Sequence, residues 1–82
     1  MRNSIFNCIL DDIQCAVPGE IFRTVRQKSI QAGRYCRSWD APEAAVRAKL
    51  LDTAQSMVSS RYGDKIRKLA ERSFEFGLKD CK

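Results

Sequence analysis

Four cysteines, Cys8, Cys15, Cys36 and Cys81, and no histidine define what chemistry this chain has to work with. No two of the cysteines form a C-x-x-C pair, the spacing on which close-pair zinc sites are built. On a helix, Cys8 and Cys15 would stand about 10 Å apart, beyond the roughly 7 Å of Cα separation that a disulfide can bridge. They read as buried free thiols of a reducing compartment, although an even count leaves a disulfide formally open. Without histidine the commonest general base is missing, and with it the Ser–His and Cys–His nucleophile pairs. The carboxylates of Asp11 and Asp12 are adjacent, so a helix would point them about 100° apart, into solvent rather than into a shared site. Neither a phosphate-cradling G-x-x-x-x-G-K-[ST] nor a dinucleotide-binding G-x-G-x-x-G occurs. The expectation is a protein that is not an enzyme and needs no cofactor or metal, a lone reactive cysteine being the remaining catalytic route.

The groups that could bind are basic. Residues 21–39 hold Arg23, Arg26, Lys28, Arg34 and Arg37 and no acid. On a continuous helix Arg23, Arg26, Arg34 and Arg37 fall within an arc of about 80°. Arginine favours planar, bidentate contact with carboxylate or phosphate, and Tyr35 and Trp39 could add stacking near the end of the row. Three readings compete: a solvated flank whose stems cover the core edge, a site for an acidic protein, and a site for nucleic acid. A second cluster, Arg61, Lys65, Arg67, Lys68 and Arg72, is diluted by Asp64 and Glu71. A turn at Gly63 followed by a helix from Asp64 would imitate a helix-turn-helix, but its mixed outward charges argue against a major-groove reader. The overall charge of +5, from 15 basic and 10 acidic residues, suits an anionic partner.

The elements that must carry these groups read as four amphipathic helices with no strand; two prolines and four glycines supply too few turns for an all-β domain. The first spans Ser4 to Ala16, with Asn3 or Ser4 as cap and Ile5, Phe6, Ile9, Leu10 and Ile13 on one face. Pro18, after the break at Val17-Pro18-Gly19, fits the first turn of a second helix reaching Ser38. Its near-heptad stripe is Phe22, Val25, Ser29, Ala32, Cys36 and Trp39, and Gly33 predicts either a kink or an early end. Asp40-Ala41-Pro42-Glu43 signals a capped third helix, running from Ala41 to Ser59 with Val46, Leu50, Leu51, Ala54, Met57 and Val58 inward. Ala44, Ala45 and Ala48 would permit close packing beside them. After breaks at Ser59-Ser60 or Gly63-Asp64, a last helix to Lys79 places Tyr62, Ile66, Leu69, Ala70, Ser73, Phe76 and Gly77 on one face.

The fold class is therefore all-α, a small bundle of about four short helices in a single domain over residues 1–82. A chain of this size buries only ~60–65% of its unfolded surface, so its core is thin. Residues 1–17 either complete that core or separate as a docking helix for a neighbouring subunit, with Ile5, Phe6, Ile9, Leu10 and Ile13 as the contact. No signal peptide is legible, because Asp11-Asp12 interrupts the first apolar run. No segment approaches a membrane span. A cytoplasmic setting and no membrane partner are expected.

Ile9-Leu10-Asp11-Asp12-Ile13 followed by Val17-Pro18-Gly19-Glu20-Ile21-Phe22 resembles the opening of small structural proteins of tailed-phage virions, with a short apolar helix, a proline and a second helix. The likeness covers the first quarter of the chain and carries over no functional residue. It implies an assembly role, as an oligomeric subunit of a bacteriophage neck, baseplate or capsid, made in the cytoplasm and retained in the virion. The functional expectation is a protein–protein interaction module. Its alternatives are a basic nucleic-acid-binding regulator, whose partner would meet Arg23, Arg26, Arg34 and Arg37, and an inhibitor of a host protein.

Overall fold

The computed structural model describes residues 2–39 and 42–80. They form α1 (Arg2–Gln14), α2 (Ile21–Trp39), α3 (Glu43–Ser56) and α4 (Ser60–Asp80), and among the described residues there is no strand. This is the small all-α bundle that the apolar periodicity predicts. The expected Asp40 cap, the ring of Trp39 and Cys81 lie outside the described residues.

The helix boundaries depart from expectation for local reasons. α1 begins at Arg2, ahead of the expected Asn3 or Ser4 cap, and ends at Gln14. There the Ala16 N–H donates to the Ile13 carbonyl at 3.1 Å, tightening the last turn. Pro18 does not enter α2. It sits second in a turn closed by the Glu20 N–H donating to the Val17 carbonyl at 2.9 Å, with Gly19 third at φ 94°. That is a type II turn, whose third position needs the positive φ that glycine adopts without strain. Gly33 does not end α2, which continues to Trp39. α3 is shorter than expected: Pro42 is its N-cap, with no side-chain cap bond, and Glu43 is already helical. Glu43 is thus too early to be the third-position acid of a capping box, and its carboxylate pairs with Arg47 instead, at 3.2 Å. α4 starts at Ser60 and runs straight through Gly63, so the helix-turn-helix expectation loses its turn.

Short connections make successive helices antiparallel, which leaves α2 and α4 parallel. Lys28 reaches Asp12 at 2.9 Å between α2 and α1. Between α4 and α3, Arg67 reaches Asp52 at 3.3 Å and Gln55 at 2.7 Å. The core draws Phe6, Ile9 and Ile13 from α1, Val25, Ala32 and Cys36 from α2, Leu50, Leu51 and Ala54 from α3, and Ile66, Ala70 and Phe74 from α4. Each large side chain buried there contributes roughly 1.5–3 kcal/mol. Phe74 is fully buried yet lies outside the predicted face, while Phe22, Tyr62 and Phe76, expected inside, are exposed. Ala44, Ala45 and Ala48 are exposed as well, so close packing on α3 rests on Ala54.

The most extensive pairing is α2 with α4, and two glycines make it close. A Cβ on Gly33 would overlap the Phe74 carbonyl oxygen and lie 2.8 Å from the Leu78 nitrogen; one on Gly77 would overlap the Ile30 carbonyl oxygen and lie 3.1 Å from the Arg34 nitrogen. Each helix thus presents a bare glycine face to a backbone carbonyl of the other, an approach that no larger residue would allow. One turn toward the N-termini stand Ser29 and Ser73, both buried, and beyond them the buried Val25 of α2 and Ala70 and Ile66 of α4.

Candidate interaction surface

Of the two surfaces that the sequence offers for contact, one is spent within the chain. Phe6, Ile9 and Ile13 are buried, and Ile5 and Leu10 pack partly buried against the same core. The α1 face is therefore covered by its own bundle, and these residues pack within the core rather than standing free for a partner. The reason is size: a core this thin needs the apolar face of every helix it has.

The other surface is open. Arg23, Arg26, Arg34 and Arg37 are all exposed along the flank of α2. Arg23 approaches Glu20 at 3.9 Å, but both side chains are well exposed, and such a pair contributes little. Across from this flank, α4 contributes the second wall of a shallow groove lined by Arg26, Ile30, Leu69, Arg72, Ser73 and Phe76. Tyr62, Leu69 and Phe76 recur every seventh residue, a spacing that drifts only about 20° per step on a straight helix, so they form one line. Tyr62 is 42% exposed and Phe76 55%, unusually open for rings of this size, and Phe22 on α2 is 39% exposed.

Charge is sorted between the two sides of α4. Arg47 of α3 lies 3.8 Å from Glu71 and 3.6 Å from Glu75, and its guanidinium also stacks 5.5 Å from the Phe74 ring centroid. This draws two acids of α4 toward α3, away from the arginines of α2. The groove side carries Arg26 on one wall and Arg72 on the other, Arg72 also standing at the border with Lys68, Glu71 and Glu75. Sequence reasoning found the arginine row but assigned Tyr62, Leu69 and Phe76 to the core. Their position at the edge of the apolar arc, together with the seven-residue repeat, was the available signal.

The thiols divide by environment. Cys8 and Cys15 are exposed, not buried as expected, because both fall on the solvent side of α1 and its last turn. Cys36 is buried, and burial followed by the nearby Glu43 charge pushes its thiol up to about 11. At neutral pH it is a protonated thiol packed in the core. Among the described residues no group of three or more His, Cys, Asp or Glu converges to hold a metal ion, and no helix is long and apolar enough to cross a membrane. Comparison of the chain with protein families, with curated proteins and with solved structures finds no match.

Proposed function

We propose that the protein is a non-enzymatic protein-interaction module whose working surface is the outer face of the α2/α4 pair. The observation that carries this reading is the exposure of Phe22, Tyr62 and Phe76 beside Arg23, Arg26 and Arg37. Aromatic rings and arginines are the residues enriched at protein interfaces and at their energetic centres. A thin-cored 82-residue chain also gains stability from any partner that binds only its folded form. An assembly subunit, the role suggested by the opening of the chain, would use the same face. The arginine row also favours a second reading, contact with nucleic-acid phosphates, which would show as binding that falls steeply with salt.

A photo-cross-linking residue placed at Phe76, with Asp52 on α3 as the control position, tests the first reading in lysate of the producing cell. A discrete protein adduct from position 76 and none from position 52 is expected. Equal labelling at both, or none at either, would sink it.

A further inference from the structure

We infer that the partner seated on this face is an acidic amphipathic helix, lying along the groove between α2 and α4. The inference rests on the interaction-module reading and names the chemistry of its partner. Three features of the groove select a helix. Its apolar lining on α4, Leu69 and Phe76, continues a seven-residue row that starts at Tyr62, the interval at which a second helix presents equivalent side chains. The row covers fifteen residues of α4, about 21 Å from first to last, which matches a partner helix of about four turns. The floor between the walls includes Ile30 and Leu69, so the seat is a valley between two helices rather than a flat patch.

Charge selects the acids. The walls carry Arg26 and Arg72 on opposite sides, and Arg23 and Arg37 extend the α2 wall in both directions. α2 contains no acid, and Glu71 and Glu75 are drawn toward Arg47 on the α3 side. A helix with apolar residues facing down and Asp or Glu on both shoulders satisfies floor and walls together. A second copy of this chain does not, because face-to-face pairing would set arginine against arginine. A nucleic-acid backbone would meet the walls but leave the row of Tyr62, Leu69 and Phe76 unmatched.

Fluorescence anisotropy with the intact protein tests this. The probes are a labelled eighteen-residue helical peptide with leucines at heptad a and d positions and flanking glutamates, the same peptide with lysines for the glutamates, and a labelled sixteen-base-pair DNA duplex. The glutamate peptide should bind at least ~10-fold more tightly than the lysine peptide and the duplex. Phe76→Ala should weaken it by about 10-fold, the loss expected for an interface aromatic worth ~1.4 kcal/mol. Arg26→Glu combined with Arg72→Glu should reverse the preference between the two peptides. Both sites are exposed, and circular dichroism verifies that each variant folds. No preference for glutamate over lysine, tighter binding of the duplex, or a glutamate peptide indifferent to Phe76→Ala overturns the inference. If these outcomes accompany a protein adduct from position 76, the helix is wrong and the module stands; without that adduct, the module falls too.

Discussion

Two glycines on the same helix offer a matched test of how α2 and α4 meet. In an exposed helix interior, replacing glycine with alanine stabilises by about 1 kcal/mol through backbone entropy alone. Gly63 and Gly77 both lie inside α4, so that gain applies to each. At Gly63 the new methyl would meet the Gln55 side-chain amide at 3.2 Å, the far end of a flexible chain that need give only a few tenths of an ångström while its Oε1 keeps the hydrogen bond from Arg67. At Gly77 it would overlap the Ile30 carbonyl oxygen and lie 3.0 Å from its carbonyl carbon, a backbone held in its own helix. Restoring ordinary contact requires the helices to part by about 1 Å, loosening Ser29, Ala32 and Cys36 against α4. Overpacking of this kind costs about 1–3 kcal/mol, and the disturbed neighbours push Gly77→Ala to the upper end. After the entropic gain the net loss is about 2 kcal/mol. A domain of this length is stable by only ~4–12 kcal/mol. Urea unfolding followed by helical circular dichroism, with a slope of about 1–1.5 kcal/mol per molar, should then show the midpoint of Gly77→Ala lowered by about 1–2 M. Gly63→Ala should leave it unchanged or raise it slightly. Equal midpoints for the two variants would refute the close crossing.

Four further outcomes are expected. Ser29 is fully buried and its hydroxyl has no hydrogen-bond partner among the described residues; Ser29→Ala should stabilise by about 0.5–1 kcal/mol in the same urea assay, since an unsatisfied buried hydroxyl is removed. Arg47→Ala should destabilise by about 1–2 kcal/mol, because the ion pairs to Glu43, Glu71 and Glu75 are lost together with stacking on Phe74, and high salt should narrow the difference from the unchanged protein. A thiol reagent at neutral pH should label Cys8 and Cys15 rapidly and Cys36 only on unfolding, as peptide mapping by mass spectrometry will read. The folded state holds the Cys36 proton up to about 11, above the value in the unfolded chain, so unfolding releases that proton. Stability from this group is therefore intact below the unfolded-state value and falls as pH rises from there toward about 11, a slope that Cys36→Ala should remove.

The apolar periodicity revealed four helices because Ile9, Val25, Leu50 and Ile66 each recur with neighbours at helical spacing, and such spacing outlasts boundary errors. It misjudged what lies between helices. Gly33 looks like a weak point in a single helix; only when Gly77 is brought beside Ile30 does it become a contact, and no local pattern carries that pairing. Phe74 and Phe76 were exchanged for a related reason. The buried arc of α4 faces both α2 and α3, and which residues fall between the two depends on the crossing, not on the helix alone. Arg47 likewise reads as a surface charge until α4 supplies Glu71 and Glu75. On the surface, the arginine row of α2 was legible because α2 holds no acid to confuse it. The aromatic line of α4 was hidden by the assumption that large rings must be inside.

The glycine crossing also sets the width of the groove from beneath. Since α2 and α4 meet backbone to backbone at Gly33 and Gly77, next to the groove residues Ile30 and Phe76, the spacing of the two walls is fixed by residues under them. A change in bulk at Ser29, which is fully buried and does not line the groove, would alter the spacing of α2 and α4 without touching a partner. Recognition could thus be retuned, to a thicker or thinner partner, by substitutions wholly inside the fold while every exposed arginine and ring stays as it is.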